Sequence, residues 1–169
     1  MMIAGVPQSL VVEPGPSAAS AAREHTRLAC AGVTSQGQAD AVTLVVSELV
    51  TNAVRYSHGQ VRLVLRVSRG EVFVAVQDTG SGFAVMPLAA DPLLEGGRGL
   101  FIVAAIANCW GVESLAAAGK LVWCVVDAQA LRYTERRATP AVPFLLGSSD
   151  RLDEPGEQQP VRLVGVTTA

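Results

Sequence analysis

The chain reads DAVTLVVSELVTNAVRY from Asp40 to Tyr56, a pattern that predicts a helix over about residues 41–56, capped by Asp40. Its apolar residues recur at helical spacing, although its valines disfavour a helix. Glu48 and Asn52 lie four residues apart, so both fall on one face of this helix. A carboxylate and a carboxamide one turn apart offer two oxygens to a hydrated Mg²⁺, or one metal ligand and one general base. Taken alone, such a pair is more often an ordinary solvated helix edge.

A second polar patch follows a predicted strand and reads Asp78-Thr79-Gly80-Ser81-Gly82-Phe83. An aspartate just past a buried strand is costly to desolvate unless it finds donors, and an adenine amino group is such a donor. Gly80 and Gly82 allow the backbone to turn sharply and to approach a ligand closely. The same residues also suit a plain turn, so this patch alone is a weak signal.

The third patch opens another predicted helix, over about residues 98–108, and reads Glu95-Gly96-Gly97-Arg98-Gly99-Leu100. Glycines at a helix N-terminus expose free N–H groups, and the helix dipole favours an anion there. The alternative is a flexible hinge before a core helix. A P-loop is excluded because Leu121 follows Gly119-Lys120, where that motif needs Ser or Thr.

The remaining pattern places further elements around these patches. Ser17 is expected to cap a helix over about residues 18–31 that ends at Gly32. Alternating strands are expected at 61–67 and 72–76, a loop at 79–97, and a second hairpin at 110–115 and 120–126. This order predicts an α+β fold, a two-layer sandwich whose mixed, mainly antiparallel sheet is covered on one face by helices.

Composition excludes several classes of protein. The chain has 169 residues, half of them apolar, and a formal net charge of -2, which gives no basic face for nucleic acid or a membrane surface. Three cysteines without a CxxC pair indicate neither a zinc site nor a disulfide framework. The apolar N-terminus lacks the basic residues of a secretory signal, so a cytoplasmic protein is expected.

We expect residues 1–16 to be a tail or an edge strand, 17–127 the domain, and 128–169 a flexible tail.

Together, the three patches resemble the N box and the two glycine boxes of the GHKL (histidine kinase-like) ATP-binding fold, and they occur in the same order. The resemblance spans about Ala18 to Asp127. Four segments look like the anti-sigma factor serine/threonine kinase branch of that superfamily: Ser47–Arg55, Gly96–Val103, Trp110–Val112 and Gly119–Trp123.

The resemblance implies a role for each residue of the three patches. Glu48 would be the base on the acceptor hydroxyl, and Asn52 would hold the Mg²⁺ that bridges the phosphates of ATP. Asp78 would accept the adenine amino group. The other residues implied in nucleotide binding are Arg55, Gly80, Gly82, Gly97, Arg98, Gly99 and Leu100. Leu121 stands where many relatives have a threonine that helps to hold adenine, so weaker or rearranged nucleotide binding is expected.

The function that this resemblance implies is a partner switch. The chain would hold a sigma factor and phosphorylate an anti-anti-sigma protein on Ser or Thr, with ATP and Mg²⁺ as cofactors and without direct contact to nucleic acid or membrane. The alternative is an ATP-binding module that holds a partner without phosphotransfer, because fold alone does not choose between the two. The sequence leaves open whether the chain is a homodimer.

Overall fold

The structure is a computed structural model that describes residues 6–57, 59–80, 98–115, 118–128 and 162–166, with only the backbone described for Arg98 and 162–166. The elements in chain order are β1 (Pro7–Val12), α1 (Ala18–Cys30), α2 (Gln36–Tyr56), β2 (Val61–Val67), β3 (Glu71–Asp78), α3 (Arg98–Ile106), β4 (Cys109–Ser114), β5 (Lys120–Asp127) and β6 (Arg162–Val166). The two helices, the hairpin, the third helix and the second hairpin follow the predicted order. Most of the loop predicted at 79–97 lies outside the described residues.

A six-stranded sheet, in the order β1-β2-β3-β5-β4-β6, underlies the helices. Strand β2 shows how the sequence makes its two faces differ, since Leu63 and Leu65 are fully buried while Arg62 and Arg66 are exposed. The predicted α+β class is confirmed. All five neighbouring pairs of described strands are antiparallel, so the sheet carries no parallel pair within this part of the chain.

Helix α2 is the central element of the helical layer and packs on α1, α3 and strands β2, β3 and β5. Burial on this scale outweighs the low helix propensity of its valines. The side chains buried on its inner face are Gln38, Ala41, Val42, Thr43, Val45, Val46, Leu49, Val50 and Ala53.

The start of α2 differs from the prediction. The helix begins at Gln36, five residues before the expected position, and its N-cap is Ser35 rather than Asp40. The Ser35 side chain accepts a hydrogen bond from the Gln38 backbone N–H, while the Asp40 carboxylate accepts one from the Gln36 side chain. Both residue types can cap a helix, and the Gln-Gly-Gln-Ala sequence between them lacks the apolar spacing that would reveal the first turn.

Polar side chains tie both ends of α2 to the sheet. Near its start, the buried Gln38 Nε2 donates to the carbonyls of Gly70 and Val126, each at 3.1 Å. Just past its end, Ser57 Oγ lies 3.0 Å from Thr79 Oγ1 and accepts from the Thr79 backbone N–H at 3.3 Å. The helix is therefore fixed over strands β3 and β5 at two points along their length.

The N-terminal segment forms an edge strand. Strand β1 pairs antiparallel with β2, from Pro7 opposite Arg66 to Val12 opposite Val61. Helix α1 then begins at Ala18 as expected, but the Ser17 side chain makes no capping hydrogen bond. Gly32 follows α1 with a φ of 71°, which suits a glycine where the chain leaves the helix.

One part of the C-terminal region departs from its expected place outside the domain. Residues 162–166 form β6, which pairs with the edge of β4, Val166 opposite Cys109 and Arg162 opposite Glu113. The unpaired edge of β4 offers a row of N–H and C=O groups, and a short stretch with three apolar residues can add to it. The polar and proline-rich surroundings of this stretch hide its strand pattern in the sequence.

All three cysteines are free thiols, and burial raises the pKa of Cys30 and Cys124 above the ordinary value. They therefore act as small packing residues in the described part of the chain. None of the described helices combines the length and apolar content that a membrane span requires.

Candidate functional site

The first and third patches of the sequence meet at Gly99, near the start of α3. A Cβ added to Gly99 would lie 2.7 Å from Asn52 Nδ2 and 2.9 Å from Glu48 Oε2. Glycine leaves room for the ends of these two side chains, and a larger residue at this position would have to push them aside. The structure thus brings together Glu48, Asn52 and Gly99, which the sequence analysis assigned to one site.

Packing of α3 on α2 holds this arrangement. Leu100 and Val103 are buried in the hydrophobic core, so the first turn of α3 is anchored beside α2. Glu48 and Asn52 are only half-buried, which leaves their polar ends accessible at the junction of the two helices. The first N–H groups of α3 have no partner within the helix and lie in the same region, where such groups can bind an anion.

The donor set at this junction fits Mg²⁺ that arrives with phosphate groups. Glu48 and Asn52 carry the hard oxygen atoms that Mg²⁺ prefers. Within the described ranges, no cluster of three or more His, Cys, Asp or Glu side chains could hold a metal ion alone. Since Mg²⁺ commonly binds through one or two protein oxygens plus substrate phosphates, these two side chains suffice for a metal that arrives with a nucleotide.

The second patch places a buried charge at the end of β3. Asp78 is 2% exposed, and its Oδ1 accepts hydrogen bonds from the Gly80 backbone N–H and from Lys120 Nζ, both at 2.8 Å. Lys120 is itself 7% exposed, so the two side chains form a buried ion pair. Each charge thereby offsets the desolvation of the other.

Lys120 is a site residue that the sequence analysis missed. It begins β5 and lies directly opposite Asp78 in the antiparallel pairing of β3 with β5. Residues in direct register share a face of the sheet, which explains why the two side chains meet. The signal was present in the two predicted strands, but finding it required the register between strands that are not neighbours in sequence.

The same register shows which way the Leu121 side chain points. Leu121 lies opposite Gln77, while its neighbours Lys120 and Val122 lie opposite Asp78 and Val76. Alternate residues of a strand point to opposite faces, so Leu121 faces away from the helices and from Asp78. The residue of this turn that lies beside the buried carboxylate is Lys120.

Two glycines allow the chain segments around Asp78 to come together. A Cβ on Gly80 would lie 2.5 Å from the Tyr56 carbonyl oxygen, 3.0 Å from Asp78 Oδ1 and 3.1 Å from Lys120 Nζ. Gly119 has a φ of 96°, and a Cβ there would collide with the backbone of Asp78. Because side chains would fill both positions, the end of α2, the end of β3 and the start of β5 converge only with glycine at these points.

The other predicted site residues fall in different places. Arg55 is exposed on the last turn of α2, where its guanidinium lies 5.7 Å from the centroid of the Tyr56 ring. The side chain of Leu100 belongs to the core, so only its backbone could contact a ligand. Arg98 is the first residue of α3. Gly82 and Gly97 lie outside the described residues.

The comparison with known families agrees with this geometry. A family model described as a histidine kinase-like ATPase domain matches residues 12–126, which include α1, α2, both hairpins and all three patches. No curated protein matches the chain.

Proposed function

The chain belongs to the histidine kinase-like ATPase family, and from that premise we propose that it is an ATP-dependent protein serine/threonine kinase that regulates a sigma factor. The observation that carries the proposal is the close contact of Gly99, on α3, with the side chains of Glu48 and Asn52, on α2. This contact would bring the proposed general base, the proposed metal ligand and the N–H groups at the start of α3 to one point. The buried carboxylate of Asp78, at the end of β3, would supply a separate hydrogen-bond acceptor for the adenine ring.

At the phosphate end, the protein would bind and orient charge. Asn52 would hold the Mg²⁺ through its side-chain oxygen, and the N–H groups of the first turn of α3 would bind phosphate oxygens. Arg55 and Arg98 would add positive charge on the two helices that flank this point. Bound Mg-ATP supplies the phosphoryl group that is transferred.

At the base end, Asp78 would accept a hydrogen bond from the adenine amino group. A buried carboxylate that already has two donors is fixed in orientation, so little conformational entropy is lost when a ligand binds. Gly80 places no side chain against this carboxylate, and we expect Gly82 to contribute to the same adenine site.

Glu48 would act as the general base for transfer to a protein hydroxyl. Its half-buried carboxylate, one turn from Asn52, would take the proton of the acceptor Ser or Thr as the hydroxyl oxygen bonds to phosphorus. The bond between that phosphorus and the ADP oxygen breaks in the same transfer. A general base of this kind typically contributes about 10²–10⁴-fold to the rate.

We propose a sigma factor and an anti-anti-sigma protein as the partners, which the chain would meet in the cytoplasm as a monomer or a homodimer. The mildly acidic composition supports regulation through proteins, because DNA binding relies on basic side chains that neutralise phosphates. Binding the sigma factor would block it. Phosphorylation of the antagonist would decide when that block is released.

The test is a transfer assay with γ-labelled ATP and candidate antagonist proteins from the same genome. We expect label on Ser or Thr with the wild-type chain, a loss of about 10²–10⁴-fold with Glu48→Gln, and nearly unchanged ATP affinity in that variant. Asn52→Ala is the matched comparison on the next turn of α2, and it should lose both binding and transfer. ATP binding without labelling of any antagonist would instead support a partner-binding module without phosphotransfer.

A further inference from the structure

We propose that Lys120 contacts the base of the nucleotide directly. In this arrangement, Asp78 Oδ2 accepts from the amino group of adenine while Lys120 Nζ donates to the ring nitrogen beside that group. The inference rests on the proposed binding of ATP and goes beyond it, because it assigns a second base-contacting residue and defines what that residue recognises.

The two oxygens of the Asp78 carboxylate differ in the donors that the described residues supply. Among the described residues, both donors to this carboxylate, Gly80 N–H and Lys120 Nζ, lie on Oδ1. Lys120 therefore does not occupy the oxygen that a ligand would need. It fixes the orientation of the carboxylate and leaves Oδ2 to accept a further hydrogen bond.

The ammonium of Lys120 has donors left over. It carries three N–H groups, and the described part of the chain provides Asp78 Oδ1 as its acceptor. The residue is 7% exposed, so water has little access to the remaining donors. Buried N–H groups without partners are costly, and an acceptor on a ligand would remove that cost.

The surroundings of Gly80 bring the two atoms to one place. The position that a Cβ of Gly80 would take lies 3.0 Å from Asp78 Oδ1 and 3.1 Å from Lys120 Nζ. Neither polar atom is screened by a side chain of the residue between them. The carboxylate of Asp78 and the ammonium of Lys120 therefore lie side by side at the end of β3.

Adenine offers the complementary pattern. Its amino group donates, and a ring nitrogen that accepts lies on either side, at N1 and at N7. A single carboxylate recognises only the amino group. An aspartate paired with a lysine recognises the amino group together with one neighbouring nitrogen, so the affinity for ATP depends on that nitrogen.

The experiment measures the affinities of ATP, 1-deaza-ATP and 7-deaza-ATP by calorimetry. In the wild-type chain we expect one of the two analogues to bind about 10- to 100-fold more weakly than ATP, which is the effect of one lost charge-assisted hydrogen bond. The analogue that shows the loss identifies the edge of the base that Lys120 contacts. Equal affinities for all three nucleotides would overturn the proposal and leave ATP binding intact.

Two variants then assign the loss to Lys120. Lys120→Met keeps the buried aliphatic part of the side chain but removes the ammonium. In this variant the affinity for ATP should fall to that of the analogue that binds the wild-type chain more weakly. The difference in affinity between ATP and that analogue should then vanish. Arg66→Met removes an exposed charge at the far end of β2 and should keep the wild-type difference. A difference that persists in Lys120→Met would show that another group contacts the ring nitrogen.

Lys120→Gln covers the case in which the methionine variant fails to fold, because its amide can still donate to Asp78. Circular dichroism checks the fold of each variant, and Lys120→Gln should also reduce the difference between ATP and the weaker analogue. Absence of ATP binding to the folded wild-type chain would overturn the proposed function, and the present inference with it.

Discussion

Asp78 holds a carboxylate almost entirely out of water at the end of β3, beside the equally buried Lys120. A buried ion pair is a poor source of stability, because desolvation of the two charges offsets most of their attraction. Packed apolar side chains of similar volume would serve the fold at least as well. The pair is therefore weak evidence for a stabilising role, and the proposed contacts with adenine would account for both side chains.

Replacement of Asp78 by Asn should weaken ATP binding about 10- to 100-fold, because an acceptor is lost and an amide N–H can face the adenine amino group. Calorimetry on the folded variant measures the effect. Asp40→Asn is the control, since it neutralises an exposed carboxylate on α2 that bonds only to the Gln36 side chain among the contacts described. Equal ATP affinity in Asp78→Asn and wild type would exclude Asp78 as the adenine contact.

Gly99 makes a second residue-level prediction possible. In Gly99→Ala the new Cβ would push aside the ends of Asn52 and Glu48, so ATP affinity should fall roughly tenfold or more while the helix still forms. Gly37→Ala is a matched helical control, because nothing lies within 4 Å of its added Cβ. Titration with ATP compares the two variants, and similar affinities would mean that the junction of α2 and α3 is not the phosphate site.

At the scale of elements, the turn before β5 decides how closely β5 approaches the end of β3. Gly119→Ala should destabilise the protein by about 2–5 kcal/mol, because strain at a φ of 96° adds to a collision with the Asp78 backbone. Gly70→Ala is the control: it has a φ of 94° with nothing within 4 Å and should cost about 1–2 kcal/mol. Urea unfolding measures the free energy of unfolding of both variants, and the difference between them is the effect of the collision. Equal losses of stability in Gly119→Ala and Gly70→Ala would show that the close approach at Gly119 is unimportant.

Some elements could be predicted from local pattern, and others could not. The alternation in β2 and the apolar spacing of α2 are properties of the sequence within a few residues, so both were found. The first turn of α2 was missed because Ser35 and Asp40 are both good caps and only the folded chain shows which one is used. Strand β6 depends on a free edge at β4, which is a property of the sheet.

The residues of the candidate site also divide into those that local sequence predicts and those that it does not. Glu48 and Asn52 share a helix face, and Asp78 ends a strand, so residue type and local spacing were enough to name them. Lys120 acquires its place only from the register between β3 and β5, which are separated by α3 and β4 in the chain. Pairing over such a distance is settled by the whole fold and leaves no local signature.

For the whole molecule, the position of β6 predicts which properties depend on the C-terminal region. Truncation after Ala128 should leave ATP affinity within a few fold, because β4 and β5 separate β6 from the end of β3 where Asp78 lies. It should also expose the edge of β4, and exposed edges promote association between chains. Calorimetry and sedimentation at several protein concentrations test both parts. A large loss of ATP affinity in a folded truncated chain would place part of the site in the deleted region.

The two ties of α2 to the sheet imply that insertions and deletions are excluded from this helix even where substitutions are accepted. Its 21 residues span about 31 Å, close to the roughly 27 Å of the eight-residue strands β3 and β5 beneath it. One extra residue between Gln38 and Glu48 would turn the rest of the helix by about 100° and move Glu48 and Asn52 off the face that meets Gly99. In relatives of this chain, length should therefore vary in the connections between elements and stay constant between Gln38 and Ser57.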